Sequence, residues 1–383
     1  MFDWSVRWPC IKDVIKMGAS KSLNLPCLGG IRGYAVLLVL FSHASNYGLN
    51  LHSSAVFSGA GRYGVFLFFV LSSFLLTRQF LIRDNSRTSW PEFLRHYILR
   101  RFLRIFPLYV LCLSIYFIVS VLFKPLYVEN WQIYLNSMVL LDGPGVFWSI
   151  PVEFQFYFVL PLISLALVAL WNFPLVLTLG MMLFVFVWQS VFEPEYKPYL
   201  APFMSIFVAG SFTAYLYEYG SKHGANLIHS NWFKKCCNLI SLASFLSFII
   251  FIPHFYNILF GAAVDIGYFH YDFILWAVLS SVLVLSTLWS DSTLCKLFES
   301  KIMVFWGNVS FSAYLGHMLI LKMLTYIGVE SEVGIIIFIG LVAVFSYLSY
   351  RFFELPMSKV HHIKKLGLRS YNVLIGINSK VRG

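Results

Sequence analysis

The sequence predicts an all-α membrane protein with about ten transmembrane helices and both termini cytoplasmic, and three observations carry that expectation. Of 383 residues, 59% are hydrophobic and only 12% charged, with a mean hydropathy of +0.76; a soluble domain carries roughly 25% charged residues. The apolar residues come in continuous runs long enough to cross a hydrocarbon core, about 20 residues each. A β-barrel would instead alternate apolar and polar residues over segments of about ten. Basic residues are concentrated in alternate connections.

The runs lie at residues 31–47, 63–82, 106–123, 152–170, 173–191, 201–217, 239–253, 273–289, 310–327 and 333–352, with 239–253 the weakest. Of the 28 Lys and Arg, all but Arg32, Arg62, Lys124, Lys197 and Lys322 fall on one face of this arrangement. Cytoplasmic loops retain positive charge, so that face and both termini are expected in the cytoplasm. The net charge of +11 is thereby a matter of topology, and nucleic-acid binding loses its support. The organisation expected is a cytoplasmic N-terminal segment at 1–30 without a cleavable signal peptide, a transmembrane domain at 31–356, and a basic tail at 357–383 near the anionic inner leaflet. The stretch 124–151, with Trp131, Tyr134 and Trp148, reads as interfacial or partly re-entrant. The six cysteines lack disulfide or zinc spacing and read as reduced thiols.

Ionisable groups inside a span are costly and mark function by default. Arg32 and His43 are eleven residues apart, so on one helix they share a face about 16 Å apart along the axis. With Arg32 at the cytoplasmic end, His43 is expected near mid-bilayer. Its imidazole suits general-base work on a hydroxyl, or else it is a structural histidine with Arg32 capping the span. In Arg95-His-Tyr-Ile-Leu-Arg100-Arg101-Phe-Leu-Arg104, Arg101 and Arg104 are neighbours on one helical face. Guanidinium forks there suit a phosphate-bearing donor; the alternative is a run that sets topology and binds lipid headgroups. Trp148-Ser149-Ile-Pro-Val-Glu153-Phe-Gln155-Phe-Tyr157 brings a carboxylate to the edge of the fourth run, either to orient an imidazolium or bind a sugar hydroxyl, or as an interfacial glutamate at a helix start. Ser310-Phe-Ser312-Ala-Tyr314-Leu-Gly-His317 adds a second intramembrane histidine, read equally as site lining or as structural. Arg351 and Glu354 read as a local ion pair. His254, His270 and Asp265 are too loosely spaced for a metal site, and no metal is expected.

Five of these elements, in this order, resemble acyltransferase family 3, the integral-membrane acyltransferases that often O-acetylate bacterial surface carbohydrates. They are Arg32 and His43 with ten residues between, Arg101-x-x-Arg104, Trp148-Ser149 before Val152-Glu153, the stretch ending at His317, and Arg351 to Pro356. Two positions depart from the family: Gly29 stands where an Asp often precedes the first Gly-Arg element, and Phe154 follows Glu153 where two adjacent carboxylates are common. The resemblance implies ten spans, a cytoplasmic acyl-CoA donor such as acetyl-CoA with no permanently bound cofactor, and a carbohydrate or lipid-linked saccharide acceptor met from the far side of a bacterial inner membrane. It implies that His43 is catalytic and that Arg32, Arg101 and Arg104 help hold the donor; on the reading of the residues, Glu153 is a second catalytic candidate, orienting that histidine or the acceptor, and Trp148, Ser149, Tyr157, Ser310, Tyr314 and His317 are candidate lining residues. The rival class is a transporter whose pathway Arg32, His43, Glu153 and His317 would line.

Overall fold

The computed structural model describes residues 25–83, 89–123, 126–329 and 332–357. Most of the N-terminal segment with Cys10, nearly all of the basic tail, Arg87 and Lys124 lie outside the described residues. Among the described residues there are helices and turns and no strand. In chain order the helices are α1 (Pro26–Asn46), α2 (Ala60–Leu81), α3 (Trp90–Leu122), α4 (Trp131–Met138), α5 (Ser149–Ala169), α6 (Pro174–Val191) and α7 (Met204–His223). There follow α8 (Asn231–Ile250), α9 (Pro253–Phe260), α10 (Phe273–Leu288), α11 (Thr293–Phe298), α12 (Lys301–Asn308), α13 (Ser310–Tyr326) and α14 (Glu332–Ser349).

All ten expected runs are helical. Seven are long and apolar enough to cross a membrane alone, and α12 with α13 makes an eighth although the pair is bent by 76°. The remaining two are α10, only 16 residues long, and α7, whose end is polar at Glu218 and Lys222. The weakest run proves to be a 20-residue helix, because it starts eight residues earlier at Asn231, capped by Ser230. Helix α3 is the longest, at 33 residues, and carries Arg100, Arg101 and Arg104 on the same rod as the apolar run. Proline at position 107 is tolerated within it because neighbouring helices can re-satisfy the freed backbone groups.

Helices α1 and α2 form the centre. In each, 72% of the apolar window is buried, against 6% for α6, whose Leu175, Met182, Leu183 and Phe186 face outward as a lipid-contacting helix would. Between apolar helices in lipid, close backbone approach replaces the hydrophobic drive. A Cβ on Gly30 would lie 1.8 Å from the Phe298 carbonyl oxygen, and one on Gly307 would lie 1.8 Å from that of Gly29. The contacts of α1 with the end of α11, at Gly30, and with α12, at Gly307, therefore admit only glycine at these points. On the other flank α2 packs on α7, where Thr77 donates to Ser211 at 2.9 Å and Arg78 pairs with Glu218. The segment between α3 and α5 turns back into the bundle: Trp131 and Tyr134 of α4 pack on Phe117, and the turn Gly145–Trp148 delivers the start of α5 to the interior.

Candidate active site

Five helices converge on one cavity of about 90 Å³, room for several water molecules. Helix α1 contributes Arg32, α3 contributes Arg101 and Arg104, and α5 contributes Ser149, Glu153 and Tyr157. Helix α2 adds Phe69 and Ser72, and α13 adds Ser310 and Tyr314. Helix α1 starts at Pro26, five residues before the expected start, so Arg32 sits in its second turn with its side chain in the cavity rather than capping the helix. Arg101 and Arg104 face the same space, as their three-residue spacing requires.

The charge balance favours an anion. Three guanidinium groups share the cavity with one carboxylate, Glu153. That carboxylate is occupied by neutral donors, Ser72 Oγ and the Tyr157 hydroxyl, each at 2.6 Å, and it makes no ion pair with the arginines. Arg101 Nε is buried without a hydrogen-bond partner, a costly state that a ligand oxygen would relieve. The first turn of α13 adds to this field: it follows the α12–α13 break, no side chain caps its N–H groups, and Ser310 and Phe311 line the cavity.

The histidines stand apart from this cavity. His43 occupies the last turn of α1. The reason is that α1 ends at Asn46, so the eleven-residue rise from Arg32 nearly exhausts the helix. His43 faces His317 with ring centroids 5.1 Å apart. His317 is fully buried, and its Nδ1 lies 2.7 Å from the Tyr314 carbonyl and 3.2 Å from that of Ala313. Carbonyl oxygens only accept, so Nδ1 carries the proton, and Nε2, which has no partner, is left as an acceptor in the neutral ring. Between the cavity and this pair stands Tyr314, hydrogen-bonded by Ser149 Oγ at 2.9 Å, its ring 6.0 Å from that of His317. Tyr116 fixes the segment by donating to the Leu315 carbonyl and accepting from the Leu319 N–H.

Several expectations change. Glu153 has Ser72 and Tyr157 as partners and lies with the arginines, so the structure does not join it to His43. Gln155 points away, holding the loop at Pro198 and Leu200. Arg351 and Glu354 do not form the expected ion pair. A π-helical turn over Tyr350–Glu354 swings Glu354 into the bundle, where Ser312 Oγ donates to it and Arg104 is its near cation. Trp148 packs on Phe69, Tyr196 and Phe203 beside the cavity rather than lining it. His254 and His270 each point a ring nitrogen at a backbone carbonyl, Ser54 and Gly59 respectively. Ser72, which lines the cavity, and the Ser312–Glu354 pair near Arg104 are not among the residues expected at the site. Their signal is present: a Ser-Ser pair inside an apolar run, and a lone carboxylate at the end of the last one.

The helical bundle thus gathers three arginines around one cavity and sets a histidine pair apart from it. The acyltransferase domain family matches residues 25–351, and the chain belongs to that family, acyltransferase family 3. Among its relatives are the peptidoglycan O-acetyltransferase of Listeria monocytogenes, 24% identical over 93% of this chain and 60% of its own, and a Staphylococcus aureus protein carrying an O-acetyltransferase assignment, 24% identical over 91% and 60%. A protein of Acidianus two-tailed virus with an acetyltransferase assignment is 26% identical over 81% of this chain and 87% of its own. The chain thus spans about 60% of the length of the Listeria and Staphylococcus relatives. No solved structure matches it.

Proposed function

We propose that this chain is an O-acyltransferase of a bacterial inner membrane that moves an acetyl group from acetyl-CoA, entering at the basic cytoplasmic end, to a hydroxyl of a carbohydrate or lipid-linked saccharide met from the far side. The observation that carries this reading is the convergence of Arg32, Arg101 and Arg104 on one cavity whose single carboxylate is already satisfied. Phosphate oxygens of the CoA moiety suit those guanidinium forks. The pantetheine arm then covers the rise from Arg32 to His43, about 16 Å, passing the Ser149–Tyr314 contact. His43 takes the proton of the acceptor hydroxyl as its oxygen attacks the thioester carbonyl. Collapse of the tetrahedral species breaks the C–S bond, and the imidazolium returns the proton to the CoA thiolate. The bare Nε2 of His317 suits it to orient the His43 ring. Glu153 serves by positioning Tyr157 and Ser72 at the donor site rather than as partner of the base.

Purified chain in proteoliposomes, supplied with labelled acetyl-CoA and extracted envelope glycans, is expected to release CoA and label a glycan. Substrate flux across the vesicle without acetyl transfer would overturn the reading in favour of a carrier.

A further inference from the structure

One cation at the far end is left unused by this mechanism. Arg62 lies in the first turn of α2, and its guanidinium carbon sits 3.5 Å from the centroid of the Tyr196 ring. The preceding residue, Gly61, lies beside the end of α1: a Cβ built there would lie 3.6 Å from His43 Nε2, an ordinary van der Waals separation. Arg62 therefore follows a residue that faces the base.

Basic residues are scarce at this end, and the other described ones are engaged: Lys197 pairs with Glu195 at 2.6 Å and Lys322 lies 4.5 Å from the Tyr127 ring centroid. Among the described residues, no carboxylate lies within ion-pair distance of Arg62. A half-buried guanidinium without a counter-ion is costly unless a ligand supplies one. Its mount is rigid. The Tyr196 hydroxyl donates to the His270 carbonyl, and His270 Nε2 holds the Gly59 carbonyl at 2.8 Å. Burial, with Arg62 second, holds the His270 imidazole down to about 4, so it is neutral and leaves Arg62 as the local positive charge. Stacking on Tyr196 leaves N–H edges of the guanidinium available for a planar anion. Tyr196 also continues a wall through Trp148, 5.6 Å away, to Phe69, a further 5.9 Å, which lines the arginine cavity.

We infer that Arg62 binds an anionic group, carboxylate or phosphate, of the acceptor, and so selects a charged saccharide and sets its hydroxyl against His43. The inference rests on the far end being the acceptor side and His43 the base.

The test compares three probes with labelled acetyl-CoA and the full chain in proteoliposomes: a trigalacturonate, a glucose phosphate and neutral maltotriose. For wild type, kcat/KM is expected to be at least tenfold higher for one of the two charged probes than for maltotriose, and the better of them identifies carboxylate or phosphate. Arg62→Gln is expected to lose that preference through KM, Arg62→Lys to keep part of it, and rising salt to erode it in wild type and Arg62→Lys but not in Arg62→Gln. Thermal melting confirms that each variant is folded, with Arg62→Lys carrying the comparison if Arg62→Gln is not. An unchanged preference in a folded Arg62→Gln protein overturns the role of Arg62, as does a wild type that prefers the neutral probe. Absence of transfer to every probe overturns this inference together with the acyltransferase reading beneath it.

Discussion

At the scale of single residues, the cavity arginines and the histidine pair make separable predictions. Arg101→Ala removes a charge-assisted contact worth about 1.5–3 kcal/mol, so the KM for acetyl-CoA is expected to rise roughly 10- to 100-fold in a labelled-transfer assay, with kcat less affected. His317→Gln keeps a polar side chain but replaces the bare ring nitrogen. It is expected to lower kcat about tenfold, the equivalent of one hydrogen bond, while leaving the acetyl-CoA KM unchanged; a variant with wild-type kcat would remove His317 from the mechanism. His270 tests burial at the far end. Its imidazole is held at about 4 against an ordinary value of about 6.5, so the unfolded chain binds a proton between these values and the folded chain does not. Stability is thus fully present above pH 6.5 and declines as pH falls toward 4, by something on the order of 3 kcal/mol. The melting temperature of wild type is expected to fall more steeply over that window than that of His270→Gln. The residues legible in the sequence were those whose charge is costly in an apolar run, namely Arg32, Arg101, Arg104, Glu153 and the two histidines. Of the partners of Glu153, Tyr157 lies four residues on along the same helix, whereas Ser72 reaches it from α2 and was not legible, and the π-helical turn at Glu354 leaves no local signature.

At the scale of elements, the crossing of α1 over α11 and α12 carries the site, since it holds α1 and hence both Arg32 and His43 in register. A Cβ at Gly30 would overlap the Phe298 carbonyl, whereas at Gly29 it would meet nothing within 4 Å. Gly30→Ala is therefore expected to cost about 1–3 kcal/mol through overpacking, read as a lower melting temperature and folded yield, while Gly29→Ala stays near wild type. Equal behaviour of the two would contradict the crossing. The contrast also bears on the departure at Gly29, where the space for a larger side chain remains although the carboxylate is gone. Apolar run length alone located a helix at each of the ten runs, of which seven, or eight with the bent pair, are long and apolar enough to cross a membrane. Three boundary effects were not legible: the early start of α1 at Pro26, which puts Arg32 in its second turn rather than at its cap; the 76° break between α12 and α13, which continuous hydropathy conceals; and the return of the chain before α5.

At the scale of the whole molecule, the asymmetry of charge and the asymmetry of sites coincide. The arginine cavity opens among helices that reach the basic end, and His43, Arg62 and Tyr196 occupy the other. The proposed orientation predicts that Cys236, half-buried beside Lys234 and Lys235 on α8, reacts with a membrane-impermeant maleimide from the cytoplasmic side only, in a variant whose other cysteines are replaced. The central claim is that this bundle joins a donor site at one end to a base at the other, and its most direct test is acetyl transfer by His43→Gln. A general base contributes about 10²–10⁴ in rate. The account predicts that folded His43→Gln protein still binds acetyl-CoA with near wild-type affinity but transfers acetyl at least 100-fold more slowly; a folded variant transferring at the wild-type rate would contradict it.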